Sequence, residues 1–432
     1  MIRWNEETPQ TQQTLLTRPA VMASKTVENS VQQIIEEVAS EGDSALLKYA
    51  ELFDKRVNPR LVVPQDEIDN SAAQLSTELK KAIEQAYANV KAFHQAQQPT
   101  DIKLTTSPGV ECELKYQAID AIGLYVPGGS APLPSSVLMQ GVCAQLSGAT
   151  TVVLCTPVNG DSRIAPAILY AAKLCGITTV IESGGAGAIA AMAIGTQSVP
   201  KVNKVFGPGN SYVTMAKQLL SQSQTGFAID MPAGPSEVLI IADERANPEF
   251  IAADLLSQAE HGSDSQVILL CNSEAIIEQT QRALDTQLQA LTRRDIAQAA
   301  MANSALILVD SIEQAFDISA QYGPEHLILQ LADAMPYLPL VKNAGSVFVG
   351  DYTPESAGDY ASGTNHVLPT YGYSKVYSSL NLLDFYRTYT VQSITPQGLK
   401  NLSSAILPLA DAEGLDAHAN AVKIRLEAMK ND

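Results

Sequence analysis

Four histidines in the second half of the chain stand among acids and amides at spacings that suit chemistry. Gln258-Ala-Glu-His261 closes the helical pattern FIAADLLSQAEH, so Gln258 and His261 sit at i, i+3 on one face, which suits two ligands of one metal ion. Glu325-His326, in YGPEHLIL just ahead of a strand pattern, puts a carboxylate beside an imidazole. Such a pair can divide acid and base roles, because the two groups titrate differently and are tuned by burial. Asp359 and His366 fall in ESAGDYASGTNHVLP, read as a long loop of small residues, a kind that is often functional. Glu413 and His418 mark a helix junction near the end of the chain. Nitrogen and oxygen donors without thiolates fit Zn²⁺ in a catalytic site, although residue types alone leave open which of the four histidines bind it. Each of them taken singly also reads as a surface or hydrogen-bonded residue. His94, in the helical stretch VKAFHQAQQ, reads as structural.

A second group of signals is Gly-rich. An α/β sheet binds ligands at the carboxyl ends of its strands, and three such loops follow strand patterns. GGAGAIAA contains Gly185-x-Gly187-x-x-Ala190, a relaxed dinucleotide fingerprint, but the acidic residue expected about 20 positions on is replaced by KVFGPG. PGGS (127–130) and GPGN (207–210) allow close backbone approach to a ligand, or serve turn geometry alone. Three of these within one half of the chain point to a nucleotide-like ligand.

The elements that must position these residues follow from periodicity. Helical patterns run over about 27–53, interrupted near Gly42, and over about 64–98. A strand pair is read around 110–116 and 121–125. Two series of short apolar runs alternating with helical stretches follow, broken by the loop DMPAGPSEV, and predict two α/β bodies with parallel sheets. Past Leu380 the pattern reads as helical only, an arm that packs on another body or on a second subunit. The expected division is 1–124 (N-terminal helices and the start of a catalytic α/β domain), 125–235 (nucleotide-binding α/β domain), 236–377 (the rest of the catalytic domain) and 378–432 (arm). The 432 residues carry a net charge of −18, which argues against nucleic acid or an anionic membrane as partner. Neither a secretory leader nor an apolar run of about 18 residues is legible, so a cytoplasmic protein is expected. The five cysteines (Cys112, Cys143, Cys155, Cys175, Cys271) show no CxxC spacing, and three adjoin apolar runs, as buried reduced thiols do.

GLYVPGGSAPLPSSVLM, KVFGPGNSYV, IDMPAGPSEVL, LLSQAEHGSDSQVILL, QYGPEHL and AGDYASGTNHVLPT, spread over essentially the whole chain, resemble the histidinol dehydrogenase family. The resemblance implies two Rossmann-like domains in an aldehyde-dehydrogenase-like architecture. It also implies oxidation of L-histidinol through L-histidinaldehyde to L-histidine with two NAD⁺ in succession, the last two steps of histidine biosynthesis. Carried over, it makes Gln258, His261, Asp359 and His418 the ligands of one Zn²⁺ per subunit, with Glu325 and His326 as the catalytic pair. His326 would be the general base and Glu325 would activate water. Ser236, Glu413 and His326 would contact substrate beside the zinc ligands, while Tyr125, position 187 and Asn210 would contact NAD. A homodimer that exchanges its arms is implied as well, so that Glu413 and His418 serve the partner's site, and His366 is left as a supporting neighbour of Asp359. One departure stands out: the family commonly has glutamine where this chain has Gly187, so the fingerprint there is a coincidence. The lost hydrogen bond is worth ~0.5–1.5 kcal/mol, at most about tenfold in NAD affinity. The competing readings are a dehydrogenase of another amino alcohol, a zinc hydrolase needing no NAD, and a non-catalytic scaffold.

Overall fold

The computed structural model describes residues 1–19, 25–128, 132–160, 162–231 and 234–431. Parts of the PGGS turn (129–130) and of the DMPAGPSEV loop (232–233) lie outside these residues. The chain opens with β1 (Ile2–Arg3), α1 (Pro9–Leu15), α2 (Lys25–Glu41), α3 (Asp43–Leu52), α4 (Gln65–Asn70) and α5 (Thr77–Gln95), then β2 (Ile102–Ser107) and β3 (Val110–Ala118). A first α/β series comprises β4 (Ala121–Tyr125), α6 (Pro134–Ser147), β5 (Thr151–Thr156), α7 (Pro166–Leu174), β6 (Thr179–Glu182), α8 (Gly185–Ile194), β7 (Lys204–Phe206), α9 (Ser211–Ser223) and β8 (Ala228–Ile229). The second runs β9 (Glu237–Ala242), α10 (Pro248–Ala259), β10 (Gln266–Cys271), α11 (Glu274–Leu288), α12 (Arg294–Met301), β11 (Ala305–Leu308), α13 (Ile312–Tyr322), β12 (His326–Gln330), β13 (Ser346–Val349) and α14 (Glu355–Tyr360). β14 (Tyr386–Ile394), α15 (Pro396–Ala412) and α16 (Asp416–Asn431) close the chain.

Two compact units result. The larger comprises Met1–Gln97 and Asp120–Asp384 and holds both parallel sheets. Their strand orders are β6-β5-β4-β7-β8 and β1-β11-β10-β9-β12-β13. Counted within each series the order is the same, third-second-first-fourth-fifth, as in a Rossmann-like half, with β1 added at one edge of the second sheet. Runs such as EVLIIA and QVILLC are buried at every position because helices cover both faces. Alternate residues divide between two cores: Val238, Ile240, Val267 and Leu269 pack on one side of the second sheet, Leu239, Ile241, Ile268 and Leu270 on the other. Helix α8, GAGAIAAMAI, is apolar all round and correspondingly buried, from Ala186 to Ala193.

The smaller unit comprises Gln98–Ile119 and Phe385–Asp432. Here two expectations need correction. The stretch after Leu380 is not helical only: β14 pairs antiparallel with β3 over nine residues, from Tyr386↔Ala118 to Ile394↔Val110. Its alternation RTYTVQS is a strand period that the flanking helices obscured. Segment 110–118 also does not pair with 121–125; β3 lies between β2 and β14, whereas β4 joins the first parallel sheet.

A buried ion cluster ties the N-terminal helices to the first sheet. Glu182, the last residue of β6, accepts from Arg56 Nη2 at 2.5 Å and from Arg60 Nη2 at 2.9 Å, and the Arg56 and Glu182 side chains are 1% and 0% exposed. Arg60 also reaches the more exposed Glu67. Removing one member of a buried pair strands the other charge, which costs about 3–5 kcal/mol, whereas a surface pair is worth under about 1 kcal/mol. E182A is therefore expected to lower the first urea-unfolding transition by roughly that larger amount and E67Q by less than the smaller one. Equal effects would show that burial does not set the strength of this cluster.

Candidate active site

The second sheet brings its acids and imidazole together through strand adjacency. β9 and β12 are parallel neighbours with His326 opposite Val238, so the starts of the two strands lie side by side although about ninety residues separate them. Glu237, first residue of β9, uses every polar group it has there. Its backbone N–H donates to Glu325 Oε2 at 2.8 Å. Its carbonyl oxygen lies 3.0 Å from His326 Nδ1 and accepts from Gln258 Nε2 at 3.2 Å. Its carboxylate is clamped by Arg18, whose Nε reaches Oε1 at 2.6 Å and Nη2 reaches Oε2 at 2.8 Å, and by the Tyr371 N–H at 2.6 Å.

With Nδ1–H directed to the Glu237 carbonyl, His326 Nε2 faces Asp359 Oδ1 at 3.7 Å and has no hydrogen-bond partner among the described residues. Gln258, 1% exposed at the last turn of α10, lies 3.0 Å from His326 Nδ1 through its amide nitrogen, and its Oε1 is likewise buried and unpartnered. His261 follows just past the helix end and is exposed. Asp359 belongs to the short helix α14 and not to an irregular loop, because Pro354 and Glu355 start a helical turn there. His366 lies in the loop beyond; its Nδ1–H donates to the Asp359 carbonyl at 2.7 Å, and the Ser136 hydroxyl lies 3.2 Å from its Nε2. Gln258, His261, Glu325, His326, Asp359, His366 and Ser236 all line one cavity of about 240 Å³, together with Pro127 and Gly207 from the first series.

The cavity departs from the carboxyl-end rule. Glu325 and His326 are at the amino end of β12 and Ser236 precedes β9, so the second sheet presents its amino edge. The first sheet obeys the rule: Tyr125 ends β4, and a separate cavity of about 480 Å³ at the carboxyl ends of its strands is lined by Tyr125, Gly184, Gly185, Gly187, Asn210 and Tyr49, among others. Tyr125 there accepts on its hydroxyl from the Gly185 N–H at 3.1 Å. Asn210 caps α9, accepting from the Tyr212 and Val213 N–H groups at 3.1 Å. A Cβ at Gly187 would meet Leu46 and Tyr49 only at ordinary contact, 3.4 and 3.6 Å, so nothing in the packing demands glycine. Gly207 is different: at φ +112° its Cβ would fall 2.0 Å from the Tyr125 carbonyl oxygen, so turn geometry alone accounts for it. Glu413 and His418 are exposed residues at the α15–α16 junction of the smaller unit.

Burial raises the Glu325 carboxyl above its ordinary range. Burial works against a charge on His326 too, but Glu325, Glu355 and Asp359 outweigh it and make the ring a stronger base than free imidazole. Asp359 is held low despite burial by His326, His366 and His261. Three buried acids lay outside the candidates read from sequence. Glu237 starts a wholly buried strand, a position where an acid needs partners. Glu355, pushed up to about 8 mainly by burial, precedes Asp359 by one helical turn. Asp254, beneath Glu355 and 3.5 Å from Gln330 Nε2, is pushed up to about 6 by burial. His94, read as structural, is fully buried and its Nδ1 donates to the Val90 carbonyl at 2.8 Å. Burial raises the Cys155 thiol to about 12 and that of Cys271 to about 11, which leaves them inert as nucleophiles.

A sequence model described as histidinol dehydrogenase matches residues 17–426. The chain is 76% identical to a histidinol dehydrogenase of Pseudoalteromonas translucida (strain TAC 125) over all of both chains. It is 55% identical to one of Vibrio parahaemolyticus, covering 99% of this chain and 98% of the other. The crystal structure of histidinol dehydrogenase from Elizabethkingia anophelis superposes with a TM-score of 0.95 at 46% identity, covering 100% of this chain and 98% of that one.

A carboxyl raised on folding keeps its proton in the native state, so its contribution to stability is present below the unfolded value and lost as pH rises through the folded one. For Asp254 that window runs from 3.8 to about 6. Relative to D254N, the wild type should thus lose stability over that window, by about 3 kcal/mol at most, and run parallel to it above pH 7. Urea denaturation of both at several pH values reads this, and parallel curves throughout would remove Asp254 as the titrating group.

Proposed function

The chain belongs to the histidinol dehydrogenase family, and on that premise we propose that it oxidises L-histidinol through L-histidinaldehyde to L-histidine, using two NAD⁺ in succession and one Zn²⁺ per subunit. The observation that carries the reading is the Glu325–His326 pair, both anchored on the Glu237 backbone and opening on a cavity lined by Gln258, His261 and Asp359. The donor set fits a metal: Gln258 Oε1 is buried without a hydrogen-bond partner among the described residues, and ligand atoms of His261, Glu355 and Asp359 lie within 4.8 Å of one another. The cavity of about 480 Å³ has the size and the strand-end position of a nucleotide site. When bound, zinc supplies a positive anchor for the substrate's nitrogens and NAD⁺ a hydride acceptor.

The roles of the side chains follow from their surroundings. His326, oriented by the Glu237 carbonyl and made more basic by three carboxylates, takes the hydroxyl proton in the first oxidation at its open Nε2. The aldehyde must be hydrated before a second hydride can leave, and in this reading Glu325 takes a proton from that water. His326 then acts as base again. Gln258, His261, Asp359 and His418 hold the metal in this reading, and Ser236 and Glu413 contact the substrate. Tyr125, Asn210 and the Gly187 segment contact NAD. The arm is exchanged in a homodimer, so that Glu413 and His418 of one chain serve the other. No described helix is long and apolar enough to cross a membrane; a cytoplasmic location is part of the same proposal.

The deciding measurement is NADH formation from L-histidinol and NAD⁺. Two NADH per histidine are expected, abolished by chelation and restored by Zn²⁺; a folded, zinc-loaded protein that forms none overturns the reading. H326N should slow turnover about 10²–10⁴-fold, while E325Q should form NADH but accumulate aldehyde in place of histidine. G187Q, whose Cβ would meet Leu46 and Tyr49 only at ordinary contact, should lower the KM for NAD by up to about tenfold. An unchanged KM would mean that the cavity already supplies the missing contact.

A further inference from the structure

Thr156 ends β5 with a hydroxyl that no described residue uses. The residue is 1% exposed, and its Oγ1 is buried without a hydrogen-bond partner among the described residues. Val153 and Cys155 pack into the core that α2, α8 and α9 cover, so Thr156 projects from the opposite face of the sheet. There it lines a cavity of about 230 Å³ with Gly128 beyond the end of β4, Pro157, and Arg163 and Ala165 ahead of α7. The cavity thus lies at the carboxyl ends of two neighbouring parallel strands, where such sheets take their ligands. A buried polar atom left without a partner is costly unless a bound group satisfies it.

The other groups at this cavity select the sign of the ligand. Helix α7, nine residues long, starts at its wall with Ala165 as N-cap and Pro166 at the first position, so no side chain caps its positive end. Arg163 adds a guanidinium. It stands 3.7 Å from Glu182 Oε2, beyond hydrogen-bond length and half exposed, because Arg56 and Arg60 already hold that carboxylate at 2.5 and 2.9 Å. Through these ion pairs three guanidiniums share two carboxylates, Glu182 and Glu67, a local excess of positive charge on a chain whose net charge is −18. We propose that this cavity is a site for a phosphate-type oxyanion, which takes the Thr156 hydroxyl as a donor and the α7 end and Arg163 as its counter-charge. Gly128, Pro157 and Asn159 also line the cavity of about 480 Å³, so the oxyanion would sit beside any nucleotide bound there. Either a phosphoryl group of that nucleotide or a free phosphate compound supplies the chemistry, and the inference stands whether or not the larger cavity takes NAD.

Isothermal titration of inorganic phosphate into the full-length, zinc-loaded protein tests the site, for the wild type, R163Q, R163K and T156V, with circular dichroism to establish folding. The wild type should bind phosphate, R163Q at least about tenfold more weakly, and R163K should lose less, because lysine keeps the charge but not the planar fork. T156V keeps the shape of the side chain without its hydroxyl and should weaken binding by about three- to tenfold. A wild type that binds no phosphate at millimolar concentrations, or R163Q binding it within about twofold of the wild type, overturns the proposal. If T156V does not fold, R163Q decides alone. Repeating the titration at saturating NAD⁺ distinguishes the sources while the site stands. Competition assigns the oxyanion to a phosphoryl group of the dinucleotide, and unchanged affinity assigns it to a free phosphate compound. Failure of the site leaves the dehydrogenase reading untouched, since that is decided by NADH formation.

Discussion

Glu237 is where the site and the fold meet. Its amide and carbonyl hold Glu325, His326 and Gln258, and its carboxylate is itself gripped by Arg18 and the Tyr371 N–H. Arg18 is further fixed by the Tyr322 and Gly323 carbonyls at 3.0 Å and lies 3.8 Å over the Tyr322 ring. Such a buried ion pair gains little net stability over an apolar replacement. Its value here is orientation: a main-chain acceptor at the first residue of a rigid, fully buried strand sets which ring nitrogen of His326 carries the proton and leaves the other facing the cavity.

The arrangement of the two sheets explains why one cavity can collect such different groups. Both series fold with the same strand order, but the first contributes strand carboxyl ends, with backbone amides and glycines, and the second contributes strand amino ends, with acids and an imidazole. The glycine-bearing strand ends and the acids with their imidazole are thereby kept on separate sheets. The GPGN turn illustrates the division. Lys217 pairs with Asp230 and donates to the Gly207 carbonyl at 2.9 Å, so that loop is held by a buried ion pair.

The site is also electrostatically unbalanced by design of its neighbours. Glu325, Glu355 and Asp254 all sit where burial disfavours their ionised forms, and against the burial of its own ring His326 is charged more readily because of Glu325, Glu355 and Asp359. A cluster of acids in low dielectric around one imidazole is poised to accept either protons or a cation.

Much of this was legible in the chain itself. The two parallel α/β series were readable because strands buried on both faces are continuous apolar runs, and Gln258, His261, Glu325 and His326 were readable because close sequence spacing already implies proximity. His94 was read from the helical pattern as structural, and it is buried there. Sequence could not reveal Glu237, whose role depends on β9 lying beside β12, nor the service of Arg18 to it from the far end of the chain. Glu355 escaped because a run of small residues was read as loop, which hid its one-turn spacing from Asp359. Strand β14 escaped because its pairing partner, β3, lies some 270 residues away, and pairing at that distance leaves no local periodic trace beyond a short alternation. Local propensity and period are written along the chain; which strand starts come together, which edge of a sheet faces the cavity and which acids share one buried space are settled only when distant segments pack.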